Sequence, residues 1–237
     1  MKLFQEIQDN LVFFLTFLAI VVGMALLARL LEKALPAKRK VTPARRLSIL
    51  GMCGAVALVL YMLDFPLLFL APSMYKLDFS EVPVLLCGFF LGPSAAVSCE
   101  GIKILLKLLL KGTTTAFVGD LANFAIGCCL VLPAVVTYHL GKSKKTAILG
   151  LVLGTAALTV GGSVFNAVYL LPKFAQLYGI PLENIVAMGT AIHPSIQNVS
   201  TFVLFAVAPL NLVKGTLVSV LTLLLYKRME KPLFKLT

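Results

Sequence analysis

Long apolar runs, each closed by charged or turn-forming residues, set the organisation of this chain. The first runs from Leu11 to Leu31 and gives way to a basic stretch, Arg29, Lys33, Lys38, Arg39, Lys40, Arg45 and Arg46, punctuated by Pro36 and Pro43. A second runs from Leu47 to Leu63. The segment 64–80 that follows is apolar and aromatic but broken by Pro66 and Pro72, so it reads as a loop buried against the membrane face, a re-entrant plug or a lid. A short helix is predicted over 81–91, ended by Gly92-Pro93, and longer ones over 94–111, 116–140 and 147–171. Pro172 then opens a polar loop, 172–194, and a last helix runs over 195–226, interrupted at Pro209. Crossing a hydrocarbon core of roughly 30 Å takes about 20 helical residues, so the pattern predicts an all-α integral membrane protein of about seven spans. The strict alternation of a membrane barrel is absent.

Composition agrees with that class. Of 237 residues, 59% are hydrophobic and 13% charged, with a mean hydropathy of +0.99. A soluble domain of this size needs more polar surface. The net charge of +11 would suggest nucleic acid in a soluble protein. Here the basic residues lie between apolar runs, where they set topology, so no nucleic-acid partner is expected. With the 32–46 linker on the cytoplasmic side, alternation puts the 64–80 loop outside, the lysine-bearing 141–146 loop inside, the 172–194 loop outside and the basic tail inside. The N-terminus, with Lys2, Glu6 and Asp9, then lies outside. The first run lacks a small-residue cleavage site after it and reads as a retained helix.

Few residues suggest catalysis. His139 and His193 lie in no nucleophile or metal motif, and no Walker A sequence is present. Cys53, Cys87, Cys99, Cys128 and Cys129 fall inside apolar segments and read as packing residues. Glu100, Lys103 and Lys107 share one helix face, where charges within a span turn toward the protein interior. Glu100 and Lys103 neutralise each other in the simplest reading, and Lys107 snorkels. Gly51 and Ala55, four apart, suit a close helix–helix contact. Asp120, Asn123, Asn166, Asn211 and Lys214 fall in the outer halves of their helices or near the midplane, on the side of the 64–80 loop. Amides, which donate and accept, with an ammonium and an aromatic loop suit a planar heteroaromatic ligand. The same asparagines would also serve as interhelical glue.

The blocks KLDFSEVPVLLCGFFLGP (76–93), EGIKILLKLLLKGT (100–113), VGDLANF (118–124), NAVYLLP (166–172) and APLNLVKG (208–215) occur in one order. Over about residues 45 to 230 the chain resembles the riboflavin-specific S component of energy-coupling factor (ECF) transporters, the RibU family. The resemblance implies a six-helix S-component core at 45–237, with the helix and basic linker of 1–44 as an extra N-terminal element. It implies a multi-pass protein of the cell membrane that captures riboflavin at the outer face. It implies no enzymatic activity and no cofactor, with ATP hydrolysis left to two cytoplasmic ATPases working through a membrane coupling subunit, EcfT. Ligand contacts map to Asn166, Asn211, Lys214 and to Leu77 and its loop neighbours, with Asp120 and Asn123 added from their location. The coupling-subunit contact maps to Gly51 and Ala55. Alternatives are an S component for another vitamin or for FMN, an intramembrane enzyme, and a scaffold that binds no small molecule.

Overall fold

The computed structural model describes residues 10–36 and 41–234. The expectations for Lys2, Glu6, Asp9, Lys38, Arg39 and Lys40 lie outside the described residues. Helix α1 (Leu11–Lys33) precedes α2 (Pro43–Met62), and a two-residue pairing of β1 (Phe65–Pro66) with β2 (Lys76–Leu77) closes the loop between α2 and α3 (Glu81–Leu91). Then come α4 (Pro93–Lys111), α5 (Val118–Gly141) and α6 (Lys144–Phe165). A π-helical turn (Asn166–Leu170) joins α6 to α7 (Leu171–Tyr178), and α8 (Leu182–Thr190) follows. Finally α9 (Val199–Phe202) passes through a second π turn (Val203–Val207) into α10 (Ala208–Phe234).

Five described helices are long and apolar enough to cross a membrane: Leu11–Lys33, Pro43–Met62, Val118–Gly141, Lys144–Tyr178 and Val199–Met229. Helix α4 is of similar length but carries Glu100, Lys103, Lys107 and Lys111. With 11 residues, α3 reaches only about 16 Å. Nearly all of α3 is buried, Val84, Leu85 and Cys87 completely, so it is a core helix enclosed by α2, α4, α5 and α10.

Two expectations about prolines are corrected. Pro172 does not end its helix and Pro209 does not interrupt the last one: Lys144–Tyr178 and Val199–Met229 are each continuous. A proline ring collides with the carbonyl four residues back and brings no N–H of its own. Each π turn ends just before its proline, at Leu170 and Val207, and its wider coil accommodates the missing bond. The expected polar loop 172–194 is mostly helical, because α7 and α8 bury Leu171, Phe174 and Ile185 in one apolar cluster with Phe202. The last helix starts at Val199, four residues later than expected, capped by Asn198, whose side chain accepts from the Thr201 amide at 2.9 Å.

The most extensive helix contact among the described residues is between α5 and α6. A Cβ at Gly150 would stand 2.5 Å from the Ala134 carbonyl oxygen, and one at Gly154 would collide with that of Leu130. These two glycines, four apart, let the backbones touch. On α2 it is Gly54 that faces inward, where a Cβ would meet Ile102, whereas Gly51 and Ala55 are exposed.

Helix α1 packs on α4 and α5. Its inward stripe is Phe14, Phe17, Val21, Met24, Ala25, Ala28 and Leu31, over a cluster containing Phe117, Phe124 and Cys128. The spacing is that of one helix face, and Leu15, Leu18, Val22 and Leu26 on the other face are exposed. At its C-terminal end Glu32 accepts from the Ser94 amide at 2.7 Å and lies 4.0 Å from Arg46.

Candidate binding site

A cavity of about 400 Å³ opens among the loop 64–80, α4, α5, the first π turn and α10, within the roughly 300–1,000 Å³ of small-molecule sites. Helix α5 brings Asp120 and Asn123 to it, one turn apart on the same face. The first π turn brings Asn166, and α10 brings Asn211 and Lys214. All five were expected here from sequence. Leu77 is buried off the cavity, while Lys76 and Asp78 on either side of it line the wall. Side chains alternate along extended backbone, so residues 76 and 78 turn one way and 77 the other.

The polar groups differ in how much of their capacity is used. Asn166 is engaged on both sides: its Oδ1 accepts from the Tyr75 hydroxyl at 2.8 Å, and its Nδ2 donates to the Gly162 carbonyl at 2.7 Å. By contrast Asn211 Nδ2, Asn123 Oδ1 and Asp120 Oδ2 are buried with no hydrogen-bond partner in the protein. An unmet buried polar group of this kind costs about 1–3 kcal/mol, so the three atoms mark where a ligand gains most. Gly162 makes room for one of them, since a Cβ there would stand 2.6 Å from Asn211 Nδ2.

Of the four lysines that line the cavity, Lys76, Lys107 and Lys214 are compensated within the protein, while Lys111 is exposed and makes no ion pair among the described residues. Lys214 Nζ lies 2.9 Å from Asp78 Oδ2 and 3.2 Å from Glu81. Lys103, wholly buried behind the wall, lies 2.6 Å from Glu100 and 3.4 Å from Glu81. Glu81 therefore bridges the two lysines, and the chain Asp78–Lys214–Glu81–Lys103–Glu100 ties the loop to α3, α4 and α10. Lys107 pairs with Asp120 at 2.6 Å and does not snorkel outward, and at the rim Lys76 pairs with Asp64 at 3.0 Å. Burial alone would raise the Asp78 carboxyl, but the Lys214 and Lys103 ammoniums outweigh it and hold the group below the usual carboxylate range. A cavity whose carboxylates are already matched by lysines suits a neutral ligand with donors and acceptors at its edge.

Sequence reasoning did not reach Tyr75, Asp78 or Glu81 as partners of the site. Tyr75 and Asp78 belong to the aromatic loop and to the LDFSEVP block, but their partners lie 91 and 136 residues away. His139 bonds the Gly88 carbonyl through Nε2 at 2.9 Å, and His193 stacks on Phe205, so neither histidine reaches the cavity. No group of metal-ligating side chains is found among the described residues.

Fold and cavity together define a multi-pass helical membrane protein with a solute-sized cavity whose carboxylates are paired with lysines. The chain belongs to the family described as ECF transporter, substrate-specific component, whose model matches residues 45–226. It is 30% identical over 187 residues to the riboflavin transporter FmnP of Bacillus subtilis (strain 168), covering 78% of this chain and 92% of that protein. It is 33% identical over 185 residues to the riboflavin transporter RibU of Staphylococcus aureus (strain TCH60), covering 78% and 90%. A solved structure of the S component of a bacterial ECF transporter superposes with a TM-score of 0.63 at 34% identity, over 81% of this chain and 99% of that one.

Proposed function

We propose that this chain captures riboflavin at the outer membrane face and hands it to an ATP-driven importer. The observation that carries the reading is the cavity with Asn211 Nδ2, Asn123 Oδ1 and Asp120 Oδ2 unpartnered while Lys76, Lys107 and Lys214 face carboxylates. Riboflavin is neutral at pH 7 and its ring edge sets an N–H between two carbonyls, so it needs both donors and acceptors but no counter-charge. Asn211 pairs with that edge, Asn166 and Tyr75 hold the wall beside it, and Lys214 donates to a carbonyl or the ribityl chain from within its ion pair. The relatives' riboflavin transport supports the same ligand.

In this reading the chain has no enzymatic activity or cofactor of its own. A membrane coupling subunit, EcfT, and two cytoplasmic ATPases supply the power. The exposed small residues Gly51 and Ala55 on α2, flanked by exposed Leu47, Met52 and Val59, form the surface for the coupling subunit. Residues 45–237 are the six-helix binding domain and 1–44 the added N-terminal element. The N-terminus lies outside and the C-terminus in the cytoplasm, which puts the 64–80 loop and the cavity mouth on the outer side.

The test is the visible absorption spectrum of detergent-purified protein, with released ligand identified by mass spectrometry. Stoichiometric riboflavin supports the proposal. A colourless protein that leaves added riboflavin fluorescence unquenched removes the flavin and leaves the family's other vitamins to be tried.

A further inference from the structure

We infer that helix α1, which precedes the family-matched segment 45–226, is a positioning element of the binding site, acting through Phe13, Phe14 and Phe17 on two of its walls. The first wall is the turn between α4 and α5. Ala116 and Phe117 there hold left-handed backbone, at φ 45° and 68°, which non-glycine residues adopt at a cost. Such a conformation persists only when surrounding contacts impose it. Thr113 Oγ1 accepts from the Phe117 amide at 3.0 Å, and the Phe117 ring is buried against α1, edge-on to Phe14 at 5.4 Å and 6.5 Å from Phe17. From this turn Thr114, Thr115 and Gly119 face the cavity, the Thr115 hydroxyl oxygen accepts from the Gly119 amide at 3.0 Å, and Asp120 follows directly.

The second wall is the segment 170–174. Leu170 and Phe174 line the cavity, and between them Lys173 Nζ sits 5.4 Å from the centre of the Phe13 ring. At the far end of α1, Glu32 is fixed to Ser94 and Arg46. The helix is thus held at both ends, and its three aromatics meet side chains, Phe117 and Lys173, of two segments that carry cavity-lining residues. A mere lipid anchor needs neither set of contacts. Loosening a supporting shell by a fraction of an ångström is enough to weaken a site whose own residues are untouched.

The inference rests on the flavin reading only for its ligand. The experiment uses the full-length protein and compares Phe14→Ala/Phe17→Ala with Leu15→Ala/Leu18→Ala, which alters the exposed face of the same helix. Two quantities are read: the riboflavin dissociation constant by fluorescence quenching, and amide hydrogen exchange across 112–120. The expected result is a dissociation constant raised about tenfold, with faster exchange at Phe117 and Gly119, for the first pair only. Wild-type values of both for the first pair overturn the inference, even if the melting temperature falls, because that is an anchor's signature. If the alanine pair does not accumulate, Phe14→Leu carries the same two readouts with a smaller expected change, and wild-type values there overturn it equally. A wild-type protein that does not quench riboflavin sinks the flavin assignment instead, and the exchange comparison then decides the role of α1 alone.

Discussion

Lys214 Nζ stands 2.9 Å from Asp78 Oδ2, joining the last helix to the loop that covers the cavity. Both side chains are nearly buried, so removing one partner leaves an uncompensated charge, at a cost of about 3–5 kcal/mol. Lys214→Met is therefore expected to lower thermal stability in detergent as well as riboflavin affinity. The double variant Asp78→Asn/Lys214→Met should recover part of the stability. A double variant no more stable than Lys214→Met would show that the two groups are not coupled.

Asn211→Ala separates ligand binding from folding. Its Nδ2 has no partner in the protein, so truncation costs the apo state little. Riboflavin affinity should fall by about one to two decades, equivalent to about 1–3 kcal/mol, with the melting temperature of the ligand-free protein unchanged. Equal quenching titrations for variant and wild type would remove Asn211 from the site.

The hydroxyl of Tyr75 fastens the loop to Asn166 at 2.8 Å. Tyr75→Phe keeps the ring and removes that bond, worth about 0.5–1.5 kcal/mol. Riboflavin release, followed by stopped-flow fluorescence, should quicken several-fold, with a smaller change in capture rate. A slowed capture with unchanged release would instead make Tyr75 part of the encounter surface.

Glycine substitutions on α2 distinguish its two faces. Gly51→Leu adds bulk to an exposed position and should reduce co-purification with the coupling subunit while riboflavin binding stays intact. Gly54→Leu drives a side chain into Ile102 and should destabilise the protein itself. Undiminished co-purification of Gly51→Leu would place the partner surface elsewhere.

Much of this architecture is visible in one dimension because lipid imposes simple rules. Apolar runs of crossing length named the spans at 11–31 and 47–63, and Gly92-Pro93 marked the end of α3 to the residue. The polar residues of α5, the first π turn and α10 could be put in one place because a charge or amide within a span has few other places to go. What was not legible depends on contacts between distant parts of the chain. Nothing local to Lys214 announces Asp78 and Glu81, and nothing local to Gly150 and Gly154 distinguishes them from Gly51 and Ala55 as a contact pair. The prolines misled because proline alone reads as a stop, whereas the π turns that accommodate Pro172 and Pro209 are stabilised by the packing around Phe202 and Leu171.

The second π turn also fixes which way α10 faces. A regular helix advances about 100° per residue, and a π turn takes up one residue more than the α-helical coil it replaces. Were 203–207 to tighten into ordinary α-helix with the preceding segment held, every residue beyond Val207 would swing around the axis by roughly that angle. Asn211 and Lys214 would leave the cavity together, and exposed neighbours such as Leu212 and Val213 would rotate in step with them. A one-residue deletion in this short stretch would instead be absorbed, since it removes the residue that the π turn accommodates and leaves Asn211 and Lys214 facing the cavity.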